Sequence, residues 1–272
     1  MRTVLGRDPR SGACLAVTVT DGRVRLVEPA ATTTTEGLPW VSPGLTDLQV
    51  NGFHGHELND PSLSTEAIDA LRRALRAEGV TTFVPTVISG SRDHTAAILR
   101  ALARARRQST ALREAIPYVH LEGPYISAEE GPRGCHDPRH IRRPDADEFA
   151  AWQEQAEGAI GMVTLSPHWA EAIDFTARLH RAGVRVSIGH THAGPERIAE
   201  AVAAGARFST HLGNGAHATL PRHPNYLWAQ LADRRLTAGF IADGHHLDGA
   251  TLTAMLRAKG LAHAFLVSDV TS

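Results

Sequence analysis

The 272-residue chain has only two cysteines, Cys14 and Cys135, too few for a disulfide framework. No stretch approaches the ~20 consecutive apolar residues that a membrane helix needs, and the amino terminus lacks the apolar segment of a secretory signal. An excess of one charge is missing too. The 28 basic and 29 acidic side chains are interspersed and sum to −1, leaving no basic stripe for nucleic acid and no acidic tail. These absences point to a cytoplasmic protein that acts on a small molecule rather than on a membrane or nucleic acid. Histidine is the exception: there are 16, most of them after residue 119, and this side chain supplies metal ligands and proton carriers near neutral pH.

Residues 1–42 read as a small β unit, because β-prone runs at 14–20 and 23–27 flank Asp21-Gly22, a strong hairpin signal. The Thr-rich stretch 32–35 then leads out to Pro39 and Pro43. From residue 43 apolar runs near 44–50, 81–88, 116–122, 160–166, 184–190, 206–211, 236–242 and 264–269 alternate with helical patterns. Ser64 to Ala77 shows the helical signature: a capping Ser, an early Glu66, apolar residues three and four apart, and Gly79 beyond the end. Eight strand and helix units predict an α/β fold, a TIM-type (β/α)₈ barrel over residues 43–272. The sequence ends three residues after Asp269, so the helix after strand eight is expected to be missing.

Glu122, His190, His211 and Asp269 each fall on the last residue of an apolar run. Parallel strands direct their carboxyl ends to one face, where residues distant in sequence can meet. One such histidine alone is more often a hydrogen-bonded core residue. Two imidazoles on strands five and six with a carboxylate on strand three favour a ligand set, with a position left open for water on a zinc-like ion. Asp269 beside that cation can take a proton from water and return it to a leaving group. His54-Gly-His56 resembles a ligand pair but lies beyond the expected end of strand one, among loop-forming residues. His136 lies in a long loop after strand three, His245 and His246 follow strand seven, and Arg222 sits in a Pro-bounded loop where it could pair with an anion.

From about Pro43 to Thr271 the motifs occur in a telling order: Pro-Gly-Leu-Thr-Asp-Leu-Gln-Val-Asn-Gly at 43, His-Leu-Glu-Gly-Pro at 120, Gly-His-Thr-His-Ala at 189, Thr-His-Leu-Gly-Asn at 210, Ile-Ala-Asp-Gly-His-His at 241, then Ser-Asp-Val-Thr. In these the chain resembles the N-acetylglucosamine-6-phosphate deacetylases of the amidohydrolase superfamily. The resemblance implies Glu122, His190 and His211 as metal ligands and Asp269 as general acid and base. It implies that His136 polarises the amide carbonyl and that His246 and Arg222 bind phosphate, in a homodimer whose subunits can share those contacts. Many superfamily members place a second ligand pair where this chain has Gln49-Val-Asn51, so one divalent ion per chain is expected. Zinc is the first choice, with iron, manganese or cobalt as alternatives.

After His211, family members often carry an aromatic residue and Asn-Ala-Met; here Gly213-Asn214-Gly215-Ala216-His217 stands instead. Asn214 and Gly215 are expected to line a reshaped sugar pocket. The resemblance also implies another hundred or so residues, completing helix eight and returning to the β unit. Residues 1–42 are therefore expected to be an incomplete sandwich segment with an exposed edge and reduced stability, and Asp269 to lie on the least supported strand. The leading expectation is hydrolysis of the acetamide of an N-acetyl amino-sugar phosphate. The alternatives are a related amidohydrolase with another amide substrate, or a metal-binding chain without turnover.

Overall fold

The computed structural model describes residues 1–31 and 36–272, so the Thr-rich lead-out at 32–35 lies outside the described residues. The chain divides into two compact units, Met1–Leu45 and Thr46–Ser272. The first is an antiparallel sheet of β1 (Arg2–Arg7), β2 (Cys14–Thr20) and β3 (Arg23–Pro29), in that order. Asp21 and Gly22 join β2 to β3 with φ of 53° and 72°, the left-handed pair that a two-residue hairpin turn demands. Every residue of β3 is exposed.

The second unit is built on an eight-stranded sheet. Its strands in spatial order are β4 (Leu45–Val50), β7 (Val80–Ile88), β8 (Val119–Glu122), β9 (Ile160–Leu165), β10 (Arg185–Ile188), β11 (Phe208–Ser209), β12 (Thr237–Ile241) and β13 (Ala264–Val267). All eight coincide with apolar runs of the sequence. A parallel bridge between Val50 and Val270 links the outer strands, with Asn51 N–H donating to Val270 O at 2.8 Å and Asp269 N–H to Gln49 O at 3.1 Å. The strand carrying Asp269 is thus held on both sides, by β12 over Ala238–Ile241 and by the chain leaving β4. Its outer face stays open, with Leu266 exposed.

Between the strands run α1 (Thr65–Ala77), α2 (Arg92–Gln108), α3 (Thr110–Ala115), α4 (Ala146–Gln155), α5 (Ala172–Arg181), α6 (Pro195–Ala204), α7 (Tyr226–Ala232) and α8 (Gly249–Lys259). Ser64 caps α1 by accepting the Ala67 N–H, and Ile68, Leu71 and Leu75 bury one face of it. Among the described residues no helix is long and apolar enough to cross a membrane. The His54-Gly-His56 segment forms the turn of a two-stranded ribbon, β5 (Gly52–Phe53) and β6 (His56–Glu57), with His54 in solvent.

Below the barrel mouth the interior is polar. His120 Nε2 contacts Thr164 Oγ1 at 2.7 Å, which continues to Thr210 Oγ1 at 2.6 Å and on to Ser187 Oγ at 2.6 Å. Burial pushes the His120 imidazole down to about 4, so it is a neutral member of this network.

Candidate active site

Three donor atoms converge at the barrel mouth. Glu122 Oε1 lies 3.2 Å from His190 Nε2 and 3.0 Å from His211 Nε2, and the two nitrogens are 3.1 Å apart. Around a tetrahedral ion with ligand bonds of about 2.0–2.1 Å, ligand atoms stand about 3.3 Å from one another, so this triangle has the right size for one ion. Glu122, His136 and His190 also offer donor atoms all within 4.8 Å of one another, placing His136 against the same point.

The tautomers can be assigned from the surroundings. His190 Nδ1–H donates to Pro132 O at 2.8 Å, which leaves Nε2 a lone pair facing Glu122. Its ring fits between two glycines: a Cβ on Gly215 would stand 2.8 Å from His190 Nδ1, and one on Gly134 would be 3.3 Å from Cε1. His136 Nδ1 accepts the backbone N–H of Ser89 at 3.3 Å and lies 2.9 Å from Ser89 Oγ. Its proton therefore sits on Nε2. Burial, with the neighbouring His190, pushes the His136 imidazole down to about 3, so it is a neutral hydrogen-bond donor.

The charges are unbalanced without a cation. Burial opposes charge on both partners, yet hydrogen bonds and charge attraction hold the Glu122 carboxyl well below its usual range and push His211 up to about 9. One positive charge is demanded here, as a proton on His211 or as a metal ion in the triangle. Gln49 adds a donor, its Nε2 lying 2.8 Å from Glu122 Oε1.

Asp269 lines the same cleft, of about 470 Å³, together with Asn51, Glu122, His136, His190, His211 and His246. Burial and the nearby Glu122 push its carboxyl up to about 6, against a 2.8 Å hydrogen bond from Asn51 Nδ2. Cys135 also lines the cleft, with its thiol pushed up by burial and by Glu122, so it is uncharged there.

Of the four residues read as strand ends, Glu122 alone is the last residue of its strand. His190, His211 and Asp269 each lie two residues beyond β10, β11 and β13, with φ of 48°, 24° and 52°. A left-handed residue breaks the alternation of a strand and turns the side chain inward over the mouth, and such strained non-glycine residues concentrate at functional sites. Asn214 and Gly215 lie in the loop after His211, where Asn214 N–H and Nδ2 both donate to His211 O, at 2.9 and 3.3 Å. His246 is exposed and pairs through Nδ1 with Asp243 Oδ2 at 2.7 Å. Arg222 is exposed on the loop before α7 and does not line the cleft. Sequence reasoning dismissed Gln49 and Asn51 as poor ligands and so missed them as donors that hold Glu122 and Asp269.

A parallel eight-stranded barrel with a Glu/His cluster able to hold a metal ion at the carboxyl ends of its strands defines the class of this protein. Residues 40–268 match the amidohydrolase family, and the chain belongs to that family. It is 34% identical over 230 residues to the N-acetylgalactosamine-6-phosphate deacetylase of Shewanella sp. (strain ANA-3), a match covering 84% of this chain and 56% of that protein. It is 31% identical over 232 residues to the N-acetylglucosamine-6-phosphate deacetylase of Bacillus subtilis (strain 168), covering 84% and 57%. Among solved structures it is similar to a Mycobacterium smegmatis N-acetyl-D-glucosamine-6-phosphate deacetylase, an aspartate-to-alanine variant in complex with N-acetyl-D-glucosamine-6-phosphate. That match has a TM-score of 0.85 at 27% identity and covers 95% of this chain and 67% of the other. The chain thus spans 56–57% of the length of these two curated relatives.

Proposed function

We propose that this chain carries the catalytic site of a metal-dependent deacetylase that hydrolyses the acetamide of N-acetylglucosamine 6-phosphate, or a closely related N-acetyl amino-sugar phosphate. The products are acetate and the amino-sugar phosphate. The observation that carries the reading is the Glu122, His190 and His211 triangle with Asp269 in the same cleft. The names of the similar proteins supply the substrate class.

A divalent cation held by Glu122 Oε1, His190 Nε2 and His211 Nε2 would supply Lewis-acid polarisation and an acidified water. His136 donates its Nε2–H to the amide oxygen and stabilises the charge that develops there as water adds to the carbonyl carbon. Asp269 takes the proton lost by that water, with Oδ1 steadied by Asn51. It then delivers the proton to the amide nitrogen, the C–N bond breaks, and the sugar leaves as an amine. Asp269 must start ionised and Glu122 must stay ionised, which matches the opposite shifts of their carboxyls. Asn214 and Gly215 are assigned to the sugar pocket beside His190, and His246 and Arg222 to the phosphate.

Zinc is the proposed ion, with iron, manganese and cobalt able to serve the same donor set. A homodimer is the proposed assembly, since Arg222 is exposed, does not line its own cleft and would serve a neighbouring copy. The cytoplasm is the proposed compartment. The galactosamine isomer is the second reading for the sugar, favoured by the Shewanella relative. The test is to quantify bound metal and acetate released from both 6-phosphates and from the unphosphorylated sugars. Metal-dependent release with a phosphate preference supports the assignment. A full metal load without acetate from any of them makes the chain a metal binder without turnover.

A further inference from the structure

A second histidine cluster stands on the barrel mouth apart from the catalytic triangle. We propose that Glu129, His192 and His217, with His168 beside them, form a second divalent-metal site that bridges the loops following β8, β9, β10 and β11.

The Glu129 carboxylate faces two imidazoles at once: Oε2 lies 2.9 Å from His217 Nε2 and Oε1 lies 3.6 Å from His192 Nε2. Each ring is tied at its other nitrogen by a hydroxyl. Ser127 Oγ is 2.6 Å from His192 Nδ1, Tyr226 OH is 3.0 Å from His217 Nδ1, and Ser166 Oγ is 2.6 Å from His168 Nδ1. The His168 ring lies tilted against that of His192, with centroids 4.2 Å apart. Three imidazoles from three different loops are thus each fixed at Nδ1, and those of His192 and His217 turn Nε2 toward the Glu129 carboxylate. Orientation of one ring nitrogen by a hydrogen bond, with the other presented to a common point, is how proteins prepare histidine for a metal.

An ordinary surface ion pair accounts for less of this. Exposed pairs hold their geometry weakly and need no oriented partner on the far side of each ring. The side chains of His192 and His217 are 28% and 30% exposed and that of Glu129 is 52% exposed, so a hydrated ion has access from solvent. Two imidazoles and a carboxylate suit zinc, cobalt or nickel. The ion would join the loop that carries Cys135 and His136 to the loop that carries Asn214 and Gly215. It would brace the walls of the cleft without entering it.

The test is equilibrium dialysis of the metal-stripped full chain against Zn²⁺, read as ions per chain, with the Co²⁺ absorption spectrum as a coordination signature. Two ions are expected. Glu129→Gln and His217→Gln each remove one ion and keep the other, whereas Glu122→Gln removes the other. Tyr226→Phe, which frees His217 Nδ1, weakens the second ion ~10- to 100-fold and leaves the first unchanged. Circular dichroism confirms that each variant is folded. One ion in the parent chain, or two that are indifferent to Glu129→Gln and His217→Gln, overturns the proposal. Since the readout is metal content, it stands or falls separately from the deacetylase reading.

Discussion

Asn51 Nδ2 donates a 2.8 Å hydrogen bond to Asp269 Oδ1, joining the end of the first barrel strand to the end of the last across 218 residues of sequence. This bond favours the ionised carboxylate, while burial and the charge of Glu122 disfavour it. Replacing Asn51 by Leu removes the favourable contribution and pushes the Asp269 carboxyl further up. A base must be deprotonated to act, so the acid limb of kcat/KM moves to higher pH in Asn51→Leu with metal content unchanged. An acid limb in the same place as in the parent would show that Asp269 is not the base.

Asp269→Asn preserves shape and removes the proton acceptor. Its kcat is expected to fall by ~10²- to 10⁴-fold, the usual share of positioned acid-base groups. Bound metal, measured on the same sample, should not change. Loss of metal together with activity would instead make Asp269 a ligand.

Metal uptake should expel a proton. In the metal-free chain His211 is raised to about 9, so near neutral pH it carries a proton that an ion must displace. Titration calorimetry in buffers of different ionisation enthalpy should register about one proton released as the Glu122, His190 and His211 triangle fills at neutral pH, falling toward zero as pH rises past about 9. The same shift sets the stability of the metal-free chain. The contribution of His211 is complete below its unfolded value near ~6.5 and is lost as pH rises through its folded value. A melting temperature of the stripped protein that is flat across that window would contradict the linkage.

Gly215→Ala tests the fit of His190. At φ 57° an alanine is strained, and its Cβ would meet His190 Nδ1 at 2.8 Å, against the nitrogen that holds Pro132 O. The expected cost is ~1–3 kcal/mol of stability together with weaker metal retention against a chelator. Gly194→Ala, at a position with nothing within 4 Å of the added carbon, is the control.

The eight strands were legible because each is a short apolar run between helical patterns, and the four residues that gather at the cleft were legible because each closes such a run. Their local geometry was not. An apolar run carries no mark of the residue at which the chain stops pairing, so His190, His211 and Asp269 read as strand ends although they lie two residues beyond. The orienting partners were equally hidden. Gln49 meets Glu122 over 73 residues and Pro132 meets His190 over 58, contacts that leave no local signature. Arg222 was singled out by residue type in a Pro-bounded loop, which cannot say which way a side chain points.

The left-handed backbone at His190, His211 and Asp269 sets robustness against chemistry. Glycine at any of the three would relax the main chain at no steric cost while erasing a proposed donor or the proposed base. At Asp269, where burial and the charge of Glu122 already oppose the carboxylate, a library of this scaffold sorted by heat resistance alone would enrich glycine and drift toward folded, inert barrels. Retaining Asp269 in such a library would require sorting for turnover as well as for heat resistance.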